Sequence, residues 1–115
     1  MIQNIGIFNM SAVQIPEIPT GLNLSQPVGG EHIIIEWNIV PGAAGYRLKR
    51  NPAYYTDHWV EVFDIIINTL NNIYHDDIQE EGPLNSGDTI IYKVCAYNDA
   101  GDSLYSEEVH IHWTD

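Results

Sequence analysis

What most constrains the fold of this chain is a period-two alternation of apolar and polar side chains, broken at short intervals by Gly, Pro and Asn. Ile33, Ile35 and Trp37 alternate with His32, Ile34 and Glu36, and Tyr46 and Leu48 with Arg47 and Lys49. Ile90, Tyr92, Val94 and Ala96 alternate with Ile91, Lys93, Cys95 and Tyr97, and Val109 and Ile111 with His110 and His112. Side chains two apart on an extended backbone share a face, so each stretch offers one face to a core. Between them lie Pro27-Val28-Gly29-Gly30, Pro41-Gly42-Ala43-Ala44-Gly45, Asn85-Ser86-Gly87-Asp88 and Asn98-Asp99-Ala100-Gly101, all turn chemistry. Only Phe63–Asn71 has a spacing that a helix could use, and its three consecutive isoleucines argue for a strand. About seven short strands at this spacing predict an all-β fold, a two-sheet antiparallel sandwich.

At 115 residues the chain has the length of one domain with one buried core. Four Lys and Arg against 16 Asp and Glu leave a formal net charge of −12. That charge repels phosphate backbones and anionic lipid, so neither nucleic acid nor a membrane surface is an expected partner. No apolar run approaches the roughly 20 residues of a membrane helix. The single cysteine allows no internal disulfide. No G-x-S-x-G elbow and no glycine-rich phosphate loop is present, and a sandwich of this size offers no deep cleft that would exclude water. The chain is therefore expected to be no enzyme and to need no cofactor.

The ordered set of motifs resembles one family, the fibronectin type III domain in its bacterial and phage flavour. Pro19-Thr20-Gly21-Leu22-Asn23-Leu24 resembles the family's first strand, and Ile33-x-Ile35-x-Trp37 its second, with a buried tryptophan. Pro41-Gly42-Ala43-Ala44-Gly45-Tyr46-Arg47-Leu48 is similar to the start of its third strand. Leu84-x-x-Gly87-x-Thr89, Val94-x-Ala96-x-Asn98-x-x-Gly101 and Ser106 are similar to its last two strands. The resemblance spans about Pro16 to His112 and implies a seven-stranded antiparallel immunoglobulin-like β-sandwich over residues 16–115, preceded by an extended N-terminal arm over residues 1–15. Two departures stand out. Ile90 occupies the position of the family's corner tyrosine, with Tyr92 two residues on packing in the core, and Tyr74–Leu84 is a longer crossing than usual. The expected inward set is Leu22, Leu24, Ile33, Ile35, Trp37, Tyr46, Leu48, Val62, Tyr74, Tyr92, Val94, Ala96, Val109 and Ile111.

Three groups of residues carry candidate chemistry. His110 and His112 project from one strand face, and Cys95 is expected to point outward on the neighbouring strand, a His/His/Cys set that could hold zinc or copper; the alternative is a pair of solvated histidines and a surface thiol. Asp76, Asp77, Glu80 and Glu81 offer oxygen ligands for calcium without the spacing of a calcium loop, so a solvated turn is the expectation there. Exposed rings and apolar runs point to contact with other molecules. Tyr54, Tyr55 and Trp59 crowd one connection, and Ile65, Ile66 and Ile67 would bury both faces of an edge strand. Ile2, Ile5, Ile7 and Phe8, with Met10, make the arm apolar enough to dock on a neighbour or on its own domain.

Met1–Gln14 has no basic start and no long apolar core, so no secretory signal is expected. These features favour a stand-alone structural and protein-interaction module, such as a phage capsid or tail decoration protein, whose partners are copies of itself or a capsid or tail protein. The counts of 17 Ile and 10 Asn fit an AT-rich genome of the kind many phages carry. The alternative, frequent in the family it resembles, is an accessory or spacer module of a secreted bacterial carbohydrate-active enzyme or a surface adhesin. Carbohydrate contact follows from that alternative only. The setting is then a virion or the extracellular space.

Overall fold

The computed structural model describes residues 13–30, 32–52, 60–66, 71–77 and 84–114, with 52 and 60–66 described as backbone alone. The alternating segments form β1 (Asn23–Ser25), β2 (Ile33–Glu36), β3 (Gly45–Pro52), β4 (Val60–Ile66), β5 (Ile73–Asp76), β6 (Thr89–Asn98), β7 (Gly101–Asp102) and β8 (Val109–His112). One sheet has the order β1-β2-β5 and the other β4-β3-β6-β7, with β8 also on β6. Every pairing is antiparallel. β7 and β8 share one partner, Asn98 lying opposite Gly101 and Ile91 opposite His110, so they are two halves of a split last strand. The result is the expected seven-stranded immunoglobulin-like sandwich.

The split strand stays fastened through its serines. Ser103 N donates to Ala96 O at 2.7 Å and Ser106 N to Val94 O at 2.8 Å. In return Ala96 N donates to Ser103 Oγ at 2.9 Å and Val94 N to Ser106 Oγ at 3.1 Å. Two hydroxyls thus accept from β6 where strand carbonyls would in a regular ladder, which lets the chain bow outward over 104–108 without stranding buried amides.

Ile33, Ile35, Trp37, Tyr46, Leu48, Tyr92, Val94 and Ala96 are buried between the sheets, as their alternation predicts. Leu22, Leu24, Tyr74 and Ile111 pack half-buried against that core, and Val109 is also half-buried, so the first and last strands form a shallower flank than expected. Val62 lies where the backbone alone is described. Trp113, Val40, Ala43, Leu84 and Ile90 join the core beyond the expected set. Trp113 extends the period of Val109 and Ile111 by one step. Val40 and Ala43 enter from the turn before β3, where Gly42 takes the left-handed φ of 81° that glycine accepts without strain. Ile90, at the corner-tyrosine position, packs opposite Ile111. A tyrosine-to-backbone bond forms elsewhere, Val40 N donating to the Tyr46 hydroxyl at 2.9 Å, while the Tyr46 ring meets Trp37 edge-on at 5.3 Å.

The ends of the sandwich are closed by side chains. Gln26 Nε2 donates to Thr114 O at 2.7 Å and its Oε1 accepts from Thr114 N at 2.9 Å, so one amide imitates a strand partner. Asn98 Nδ2 donates to Gln14 O at 2.7 Å and ties the incoming chain to the β6–β7 hairpin. Among the described residues no helix is long and apolar enough to cross a membrane.

Candidate partner-binding surfaces

Register separates the candidate metal ligands. His110 lies opposite Ile91 and His112 opposite Thr89, whereas Cys95 lies opposite Arg47, four residues further along β6. At about 3.3 Å per residue that separation exceeds any shared coordination shell. His112 Nδ1 is 3.0 Å from Thr89 Oγ1. Cys95 does face the outer side of the sheet, yet it is fully buried rather than a surface thiol. The correction has a cause in the split strand: Tyr105, in the outward bow, lies over β6 and hydrogen-bonds the thiol. Burial pushes the Cys95 thiol above its ordinary value, and the Tyr105 bond only partly opposes this. Among the described residues no three His, Cys, Asp or Glu side chains converge to hold an ion.

The acidic stretch behaves differently from a solvated turn. Asp76 is 2% exposed, and Arg50 Nη1 donates to its Oδ1 at 2.8 Å and its Oδ2 at 2.7 Å. The Tyr92 hydroxyl donates to Oδ2 at 2.6 Å. Arg50 and Tyr92 are opposite one another on β3 and β6, while Asp76 comes from β5 in the other sheet. The cluster therefore pins the two sheets together. Burial, and then the Asp76 charge, drive the Tyr92 phenol far above its usual range. Arg50 is 1% and Tyr92 0% exposed, so the cluster is closed off from solvent. Asp77 is exposed beside it, and residues 80 and 81 lie outside the described residues.

Two outer surfaces remain. On the five-stranded sheet Arg47 stacks 4.4 Å over Tyr97 and ion-pairs Asp102 at 3.4 Å, while Lys49 and Lys93, directly opposite in register, sit 5.0 and 5.2 Å from the Tyr105 ring. Three of the chain's four cationic side chains thus share one face with two tyrosines. On the three-stranded sheet the His32 and His75 rings stack at 5.1 Å, a face-to-face geometry that directs their nitrogens sideways rather than toward a shared ion.

The flank between the sheets carries the apolar surplus. Ile15, Ile18 and Leu104 are 54%, 43% and 76% exposed and lie along one seam. Residues 15–26 run parallel to 101–114: Ile15 packs over Gly101 at one end and Gln26 clamps Thr114 at the other. Two clefts open along the seam. One of about 640 Å³ is lined by Ile15, Ile18 and Leu104, and one of about 460 Å³ by Ile18, Leu22, Tyr105 and Val109. This seam escaped the sequence reading.

Of the residues expected to meet a partner, Ile2, Ile5, Ile7, Phe8, Tyr54, Tyr55, Trp59 and Ile67 lie outside the described residues. Ile65 and Ile66 lie on β4, opposite Tyr46 and Gly45, where the backbone alone is described.

No family model matches this chain, and no curated protein matches it. Solved structures do. An Fn3-like protein from Clostridium thermocellum is 25% identical, with 83% of this chain and 90% of that one covered and a TM-score of 0.64. The domain FN3tt is 15% identical over 86% of this chain and 95% of its own, with a TM-score of 0.65. The spore cortex lytic enzyme SleM of Clostridium perfringens is 19% identical, with 88% of this chain but 29% of that one covered and a TM-score of 0.60. The fold resembled in the sequence is the fold observed, that of a fibronectin type III domain.

Proposed function

We propose that this fibronectin type III fold serves as a non-catalytic structural and protein-interaction module, a subunit of a larger assembly such as a phage capsid or tail. It docks through its N-terminal arm and its exposed apolar surface. The seam carries the reading: three large aliphatic side chains, Ile15, Ile18 and Leu104, stand exposed along it, and contiguous exposed apolar surface marks contact sites. The buried ion cluster supports the same reading, because its polar groups serve cohesion rather than chemistry. Partners are copies of the chain or a capsid or tail protein, in a virion or extracellular setting, with the arm residues, Tyr54, Tyr55, Trp59 and Ile65–Ile67 as further contacts.

A second reading has its own support. The likeness to part of a spore cortex lytic enzyme and to a clostridial Fn3-like protein suits an accessory module of a secreted carbohydrate-active enzyme. One experiment separates the two. Light scattering on the full chain, beside pull-down on insoluble chitin, cellulose and peptidoglycan, should show concentration-dependent association and no glycan retention. A strictly monomeric chain retained on glycan would replace the first reading with the second.

A further inference from the structure

We propose that His110 and His112 form a two-histidine chelate for a divalent transition-metal ion, copper(II) most tightly, with Thr89 as the residue that orients His112. The placement follows from register. Both histidines lie on β8, two residues apart, so their side chains leave one face of the strand from Cα atoms about 6.6 Å apart. Both are exposed, while Ile111 between them packs against the core. The strand beneath them is firmly held. His110, Ile111 and His112 lie opposite Ile91, Ile90 and Thr89 on β6, and Trp113, 1% exposed, anchors the end of β8.

A second observation comes from the His112 ring. Its Nδ1 lies 3.0 Å from Thr89 Oγ1. With the proton on Nδ1 the ring donates to that hydroxyl, and Nε2 keeps its lone pair for a metal. Ligating histidines are held in this way, through the nitrogen that does not face the ion. The exposed His110 ring can turn to meet it. Two imidazole nitrogens at about 2.0–2.1 Å from one ion lie about 3 Å apart in adjacent positions, a separation that neighbours on one strand face reach by leaning together.

Charge and ligand type choose the ion. The chain carries a net charge of −12, and Glu107 and Glu108, both exposed, directly precede β8, so the surroundings attract a cation. Lys93, on the same face of β6, is held 5.2 Å from the Tyr105 ring. Imidazoles suit copper, nickel and zinc rather than calcium or magnesium, and for a fixed pair of them affinity peaks at copper(II). Among the described residues no third His, Cys, Asp or Glu converges on the pair, so water fills the remaining positions. His32 and His75 differ, because their stacked rings direct the nitrogens away from a shared ion.

Calorimetric titration of the full chain with copper(II) tests the site, with electron paramagnetic resonance on the same samples. One ion per chain is expected, with a spectrum that shows two equatorial nitrogens. His110→Asn and His112→Asn lie at exposed positions and should leave the melting midpoint unchanged, yet each should weaken binding by about tenfold or more. Thr89→Val should weaken it by about tenfold through the lost hydrogen bond, and His32→Asn should bind as the parent does. Undiminished binding in either His110→Asn or His112→Asn overturns the chelate. A spectrum with a single nitrogen, or loss of binding in His32→Asn, overturns it as well. Unchanged affinity in Thr89→Val overturns the orienting role given to that residue.

Discussion

Arg50 and Asp76 meet across the two sheets, one guanidinium nitrogen reaching both carboxylate oxygens at 2.8 and 2.7 Å in the buried interior. A buried pair of this kind contributes little relative to apolar residues of the same volume, but removing one partner leaves the other charged in a low-dielectric core. Asp76→Ala or Arg50→Met should therefore each cost about 3–5 kcal/mol in urea unfolding. Arg50→Met, Asp76→Leu and Tyr92→Phe combined remove all three polar groups at once and should recover most of that loss. Additive damage in the combined variant would show that the cluster is not energetically coupled.

Among the described residues Trp37 and Trp113 are the largest buried side chains, one following a strand of each sheet. Trp113 N donates to Asp88 O and Gly87 N to Trp113 O, both at 2.7 Å, so the main chain at Trp113 also locks the turn before β6. Trp37→Ala and Trp113→Ala should each lower stability by about 3–5 kcal/mol, comparable to the whole stability of many small domains. Circular dichroism melts measure this, and a midpoint unchanged in Trp37→Ala would refute its place at the centre of the core.

Most of the fold could be read from alternation because the central strands β2, β3 and β6 each bury one face, and burial is what a period of two records. The misses share a cause. Asp76 looked like a solvated acid because charge in a sequence reads as surface, and its partner Arg50 lies 26 positions away, a separation that no local pattern encodes. Cys95 was rightly placed on the outer face, but it took the bow carrying Tyr105 to bury it. The seam was invisible because it joins residues from both ends of the domain. Interior position is thus legible residue by residue, whereas surfaces made by distant segments emerge only once the topology is known.

The outward bow depends on Ser103 and Ser106, whose hydroxyls accept from the Ala96 and Val94 amides. Ser103→Ala removes a buried acceptor and should cost about 1–3 kcal/mol, with less expected for the more exposed Ser106→Ala. Hydrogen exchange adds a sharper readout: protection at the Ala96 amide should fall in Ser103→Ala while that of Val94 changes little. Equal loss at both amides would mean that the bow moves as one unit.

The Tyr92 phenol gives the domain a defined alkaline limit. Its folded-state proton affinity is raised by burial, then by the Asp76 charge, above the ordinary phenol value of 10.0. A group with a raised folded pKa contributes stability that is complete below its unfolded pKa and is lost as pH rises above it. Stability should therefore hold near neutrality and fall above pH 10 by up to about 1.4 kcal/mol per pH unit for this one group, because the unfolded chain releases a proton that the folded chain keeps. The buried Cys95 thiol, raised above 9.0, acts in the same direction and starts the decline about one unit earlier. Tyr92→Phe should be less stable than the parent at pH 7, having lost the bond to Asp76, yet show a shallower slope between pH 10 and 11. Parallel urea titrations at pH 8, 10 and 11 measure both effects, and identical slopes in the two proteins would rule out Tyr92 as the group responsible.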